Sequence, residues 1–319
     1  MDFRTQIPLN TSTTLSVQSK IDYNSKTLLI GSCFTENIGN KIEYYKFQNT
    51  INPFGILFHP KAIETLITHA IKNKKYTNDD VFFYNEHWHC FDTHSEFSNV
   101  SKDKLLLNLN TAIQLTNQQI KNATHLIITL GTSWIYRHIE TDQIVSNCHK
   151  VPQKKFLKEL LTVEEITENL DAIISLVKSI NPKIEIIFTV SPVRHLKDGF
   201  TENSLSKSHL IAAIHQVIEP RNYTHYFPSF EIMMDDLRDY RFYKSDMIHP
   251  NQTAIDYIWE QFKKTWIDLT SFDLMVEINS IQKGLSHRPF NKTSEQHQQF
   301  IKNLQTKMAH LKMHHNIVF

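Results

Sequence analysis

Strand-length apolar runs alternate along this chain with helix-length amphipathic stretches, a pattern satisfied by a parallel sheet whose faces are covered by helices. Four runs read as strands: Thr27 to Ile30, His125 to Leu130, Ile184 to Val190 and Thr224 to Phe227. They end at Gly31, Gly131, Ser191-Pro192 and Pro228, where glycine turns the chain or proline forbids a further ladder bond. Helical periodicity covers Phe34 to Tyr45, Lys61 to Ile71, Lys104 to Ile120, Val163 to Ile180, Leu205 to Ile218 and Thr253 to Leu269. Two regions fall outside the alternation. Residues 76–100 crowd aromatics and histidines together and read as an insertion over a site. The stretch from Ser271 onward is polar, helix-prone and basic at its end. The expected organisation is one α/β domain over residues 1–270 and a helical extension over 271–319, with no repeat, low-complexity tract or flexible linker to fix the boundary.

Of the 319 residues 40% are hydrophobic and 21% charged, enough to bury a sizeable core. With 34 basic and 33 acidic residues there is no net field to gather nucleic acid or an acidic membrane surface, so neutral small-molecule partners are expected. No apolar run approaches the ~18 residues of a membrane span. The opening MDFRTQIPLNTS lacks a basic segment followed by an apolar one, so no export signal is expected. Cys33, Cys90 and Cys148 are too few and too scattered for a disulfide framework or a zinc ribbon, which makes a reducing cytoplasm the expected compartment. Six glycines, with neither GxGxxG nor GxxxxGK[ST] among them, give no phosphate loop, and no cofactor is expected.

Ligands of open parallel sheets bind beyond the carboxyl ends of the strands. The first strand ends in Gly31-Ser32-Cys33-Phe34, placing a hydroxyl and a thiol at the mouth of a helix, whose dipole favours a developing anion and would lower the Cys33 thiol pKa. The plain alternative is a tight turn at Gly31, a capping Ser32 and a small buried hydrophobe at Cys33. Near the other end, Ser245-Asp246-Met247-Ile248-His249-Pro250 precedes the last core helix; Asp246 there would fix the tautomer that makes His249 a base. A capping aspartate and a surface histidine are the alternative.

A nucleophile block after the first strand and an Asp-x-x-His block before the last helix resemble the SGNH/GDSL hydrolases. More specifically, GSCF at 31–34 resembles the name-giving motif of the GSCFA family, with Thr35 where that motif has alanine. The likeness continues through NPFGILFHP at 52–60, LGTSW at 130–134, NCHK at 147–150, SPVRH at 191–195 and LRDYRFYKSDMIHP at 237–250. The resemblance implies a flavodoxin-like sheet and nucleophile-His-Asp catalysis on an acyl ester of a carbohydrate or small molecule, by hydrolysis or transfer. Ser32 stands where those hydrolases have aspartate and Cys33 where they have the nucleophilic serine, so either Ser32 attacks or the chain is a Cys-His-Asp variant. The oxyanion hole implied is the N–H of Cys33, Gly55 and Ser133, the last replacing an asparagine, with Asn147 or His149 as further donors. Substrate-binding candidates are Asn52, His94, Thr132, Trp134, Asn147, His149, Arg194 and His195. Arg194 could hold an anionic group or pair with Asp235, Asp236 or Asp239. His87, His89, Cys90 and His94 are zinc-type ligands, but eighteen histidines cluster easily by chance, and no metal site is expected. The competing expectation is a glycan- or protein-binding protein that kept the fold and lost the reaction.

Overall fold

The computed structural model describes residues 20–319 except Pro220 and Lys292; the opening segment read for an export signal lies outside the described residues. In chain order the elements are β1 (Lys26–Gly31), α1 (Cys33–Tyr44), β2 (Gln48–Ile51), α2 (Pro60–Ile71), β3 (Phe82–Tyr84), β4 (His87–His89), α3 (Lys102–Asn122), β5 (His125–Leu130), β6 (Trp134–His138), β7 (Gln143–Val145) and β8 (Phe156–Leu160). There follow α4 (Val163–Ile180), β9 (Glu185–Val190), α5 (Phe200–Ile218), β10 (Thr224–Phe227), the short α6 (Ser229–Glu231), α7 (Gln252–Trp266), α8 (Phe272–Ser286) and α9 (Glu295–His315).

The four expected strands pair in parallel and gain a fifth, β2, in the order β2-β1-β5-β9-β10. Counted along the chain this is the doubly wound order 2-1-3-4-5, whose switch point lies between β1 and β5. Strand residues alternate between two cores. Leu28, Ile30, Leu126, Ile128, Ile186 and Phe188 pack with the buried faces of α2, α3, α4 and α5, while Leu29, Ile127, Ile187 and Phe227 pack with α1 and α7. Burial on both faces explains why these strands read as continuous apolar runs, each fully buried Leu or Ile contributing about 2 kcal/mol. Helix starts follow local chemistry: Thr162 and Glu165 form a capping box on α4, and Asn251 Oδ1 caps α7 by accepting from Ala254 N at 3.1 Å.

The region 76–100 contains the hairpin β3-β4, turned at Asn85 and Glu86, whose φ of +48° and +64° suit a two-residue hairpin loop. A three-stranded antiparallel sheet, β7-β6-β8, follows β5 and was not expected. The extension forms α8 and α9, closed over Ile278, Ile281, Leu304, Leu311 and Ile317. It is tied to the last turn of α1, where Tyr44 Oη donates to Asn279 Oδ1 and Gln282 Nε2 donates to Tyr44 O, both at 2.9 Å. Eleven residue steps, about 16 Å, separate that end of α1 from Cys33. No helix among the described residues is long and apolar enough to cross a membrane.

Candidate active site

β1 runs so close to β5 that a Cβ on Gly31, at φ +147°, would lie 2.2 Å from Thr129 O; only glycine fits. Ser32 follows in extended conformation, its N–H donating to Thr129 O at 3.0 Å. It occupies the N-cap of α1, yet its side chain makes no capping bond, and Oγ is buried without a partner. Gly131, just past β5, packs on Ser32 so tightly that a Cβ there would meet Ser32 Cβ at 3.2 Å. Ser32 therefore sits at the switch point between β1 and β5, where open sheets of this order bind ligands.

Cys33 opens α1 and is half-buried. Burial raises its thiol pKa above the ordinary value and Glu36 adds to this, while Lys207 and the N–H groups of Cys33 and Phe34 oppose it. The lowered thiol expected at a helix mouth is thus overturned: desolvation outweighs the dipole and the cation.

At the other end of the chain, Asp246 Oδ1 accepts from Ile248 N at 2.8 Å and His249 N at 3.0 Å, and Oδ2 lies 2.8 Å from His249 Nδ1. The amides and then the imidazole hold the Asp246 carboxyl down to about 2, so it is ionised and fixes the proton on Nδ1, leaving Nε2 as the basic nitrogen. Tyr243 bridges Pro250, and Lys244 N donates to His249 O at 2.7 Å, closing the loop. Arg194 N donates to Ile248 O at 3.3 Å and joins this loop to the 191–195 segment after β9. His195 in that segment feels the charges of Lys207 and His249; burial first, then Lys207, pushes its pKa down to about 3. Its Nε2 is buried without a partner. The Asp246–His249 pair is formed, while the bond from imidazole to Ser32 Oγ is unmade.

Two expected oxyanion donors are corrected by the structure. Gly55 N already donates to Asn52 O at 2.8 Å, and the space beside its Cα is filled by His94 Cβ, 2.6 Å from where a Cβ would stand. Ser133 is fully buried against α5, its N–H donating to Ser206 Oγ at 2.8 Å and its Oγ to Ser206 O at 3.0 Å. Past β5 the chain turns into β6, so Gly131 faces Ser32 and Ser133 faces the helix. Asn52 offers an alternative: its Oδ1 accepts from Gly31 N at 2.9 Å, and its Nδ2 is buried with no acceptor at full hydrogen-bond geometry, although the nearby Glu36 carboxyl feels the amide.

Thr132, Trp134, Asn147 and His195 line a cleft of about 300 Å³ together with Phe58 and Cys148. His149 instead belongs to a neighbouring cleft of about 700 Å³ beside His87 and His89. Its Nε2 bonds Cys90 O at 2.7 Å and burial pushes its pKa down to about 4, so it is a neutral structural ring and does not extend the oxyanion hole. Arg194 stacks on Tyr243 and Tyr240, 4.2 and 5.1 Å from the ring centroids. Among the described residues no ion pair joins it to Asp235, Asp236 or Asp239, and Asp239 pairs with Arg241. Both nitrogens of His89 are engaged, by Ser98 Oγ and Tyr84 O, and no group of three metal-type ligands occurs among the described residues.

One site residue escaped the sequence reading. Lys207 on α5 is 1% exposed, and its Nζ donates to Gly131 O at 2.6 Å and Ser191 O at 2.7 Å, the carbonyls just beyond β5 and β9. The signal was its spacing: with Asn203, Ser206, Leu210, Ala213, Ile214 and Val217 it lies on the buried stripe of α5.

Fold and site together define a doubly wound α/β protein whose Ser-Cys turn and Asp-His pair are carried at the carboxyl edge of a five-stranded parallel sheet. The chain belongs to the GSCFA family: the family profile matches residues 26–262, and a second, described as the GSCFA domain protein, C-terminal domain, matches residues 278–318. No match is found among curated proteins. Among solved structures, the chain is similar to one described as "The structure of a putative platelet activating factor from Streptococcus pneumonia", at 12% identity and a TM-score of 0.42, over 76% of this chain and 83% of that one.

Proposed function

We propose that the protein is an SGNH-type enzyme that hydrolyses or transfers an acyl group held as an ester on a carbohydrate or small molecule. The observation that carries this reading is the pair of partnerless buried polar atoms Ser32 Oγ and His195 Nε2, just past the carboxyl ends of β1 and β9, with the Asp246–His249 loop tied to the His195 segment by the Arg194 N–H. Buried polar groups without partners are uncommon in folded proteins, and a pair of them beyond the carboxyl ends of parallel strands is suited to a substrate that completes their bonds. The motif order and the 2-1-3-4-5 sheet support the same superfamily.

In the reaction so written, the Ser32 hydroxyl or Cys33 thiol attacks the acyl carbonyl and its proton passes to His249 Nε2. Asp246 stabilises the imidazolium without taking the proton. The Cys33 N–H and Asn52 Nδ2 meet the oxyanion. His249 returns the proton to the departing alcohol, and water or an acceptor hydroxyl then releases the acyl group by the same steps in reverse. The raised thiol pKa means that Cys33, like Ser32, relies on the base for its ionisation. The steps need no cofactor.

The test is hydrolysis of p-nitrophenyl acetate and longer acyl esters by wild type, Ser32→Ala, Cys33→Ala and His249→Ala, with circular dichroism as the control for folding. His249→Ala is expected to lose about 10⁴-fold or more in turnover, together with one nucleophile variant. The commitment of Gly55 N–H and Ser133 Oγ to other partners favours a second reading, a binding protein that has lost the reaction. Equal background rates in all four proteins would select it.

A further inference from the structure

We propose that Lys207 is a positioning residue for the nucleophile turn, a buried cation whose charge is set opposite the negative charge that forms at Cys33. Its placement is a matter of helix spacing. α5 clamps the carboxyl ends of two central strands with adjacent residues: Ser206 holds Ser133, and Lys207 holds Gly131 O and Ser191 O. Gly131 is the residue packed directly on Ser32, so the ammonium lies one residue beneath the turn that carries both candidate nucleophiles.

A purely structural role does not account for a lysine here. Burying an ammonium costs several kcal/mol that two carbonyl bonds only partly return, and a neutral side chain with two donors could hold the same carbonyls. Among the described residues Lys207 has no ion pair with a carboxylate. Two of the three N–H groups of its ammonium form are accounted for by these carbonyls. The charged and titratable groups acting on it are Cys33 from α1 and His195 from the segment after β9, while the Phe230 ring, 5.7 Å from Nζ, brings no charge. Its counter-charge is therefore one that appears during reaction. When Cys33 Sγ–H gives its proton to His249 or solvent, the electron pair stays on sulfur, and the new negative charge favours the protonated form of Lys207. Burial brings the Lys207 pKa down to about 7, with Cys33 opposing the fall, which is the reciprocal of the effect of Lys207 on the thiol.

The role of the thiolate rests on the proposed acyl transfer, but the coupling does not, and alkylation measures it without turnover. Cys33 in wild type, Lys207→Gln and Lys207→Arg is reacted with iodoacetamide across pH 6 to 10 and followed by peptide mass spectrometry; sulfur forms the new S–C bond and iodide leaves. Lys207→Gln keeps two donors for the carbonyls and removes the charge. It is expected to slow Cys33 alkylation near neutral pH by about tenfold and to move the profile up by about one unit, with Lys207→Arg restoring most of the rate. A folded Lys207→Gln protein alkylated within about threefold of wild type overturns the proposal. Should that variant not fold, wild type decides: Cys33 must react faster than Cys148, another half-buried thiol, which burial pushes up to about 11. An equal or slower Cys33 overturns the coupling. Ester hydrolysis that persists while Cys33 reactivity ignores residue 207 would remove this inference alone.

Discussion

Asp246 and the buried histidines respond to acid in different windows. The Asp246 carboxyl, held down to about 2, contributes stability that is fully present above the unfolded carboxylate value near 4 and is lost progressively as pH falls from there through about 2. Asp246 therefore stays ionised throughout the neutral and mildly acidic range in which turnover would be measured. Asp246→Asn should keep the fold and lower kcat/KM for an ester by about 10⁴-fold, because an amide can favour the wrong His249 tautomer; a loss below about tenfold would remove Asp246 from the mechanism. His59, His149 and His195 have pKa values pushed down to about 4, 4 and 3, chiefly by burial. For these the unfolded chain binds the extra proton, so stability is full above about 6.5 and falls between there and about 4. Each should cost roughly 1–2 kcal/mol between pH 7 and pH 5. The urea midpoint should drop over that interval, and a midpoint that does not move would show these rings to be solvated in the folded chain.

The turn between β1 and α1 concentrates its constraint in one glycine. Gly31→Ala would place a methyl on Thr129 O and force a left-handed backbone on alanine, a combined cost of roughly 3 kcal/mol or more, measurable as a lower urea midpoint. The turn was legible in the sequence because the buried run before it stops abruptly at a glycine, and Asp246 and His249 were legible because both lie on one short loop. β2 was not, since Gln48–Ile51 is a polar edge strand with no fully buried residue. β6 to β8 were hidden by composition: Trp134–His138 and Phe156–Leu160 mix aromatic and charged residues on a half-exposed sheet, and their pairing is set by contacts distant in sequence. Ser133 was misplaced for a related reason, since the direction of its side chain depends on where β5 ends and β6 begins. Lys207 was hidden because lysine among serines reads as a solvated face until the apolar stripe of α5 is counted through it.

The molecule separates its two ends along α1. The N-terminal turn of that helix carries the Ser32-Cys33 site, and its C-terminal turn carries the α8–α9 pair through Tyr44, Asn279 and Gln282. About 16 Å of helix lies between them, so the extension neither lines the clefts nor shares a side chain with the nucleophile turn. Its own small core, around Ile278, Ile281, Leu304 and Leu311, is closed by few buried side chains, which favours local opening there. Leu311→Ala removes a fully buried side chain from this cluster and should cost about 3 kcal/mol there. Hydrogen exchange in α8 and α9 should then accelerate, while Cys33 alkylation stays at the wild-type rate, because the contact of the extension on Tyr44 lies about 16 Å of helix away from the thiol. A slowed or quickened Cys33 in Leu311→Ala would show that α1 transmits the state of the extension to the site, and the two ends would then have to be treated as one unit.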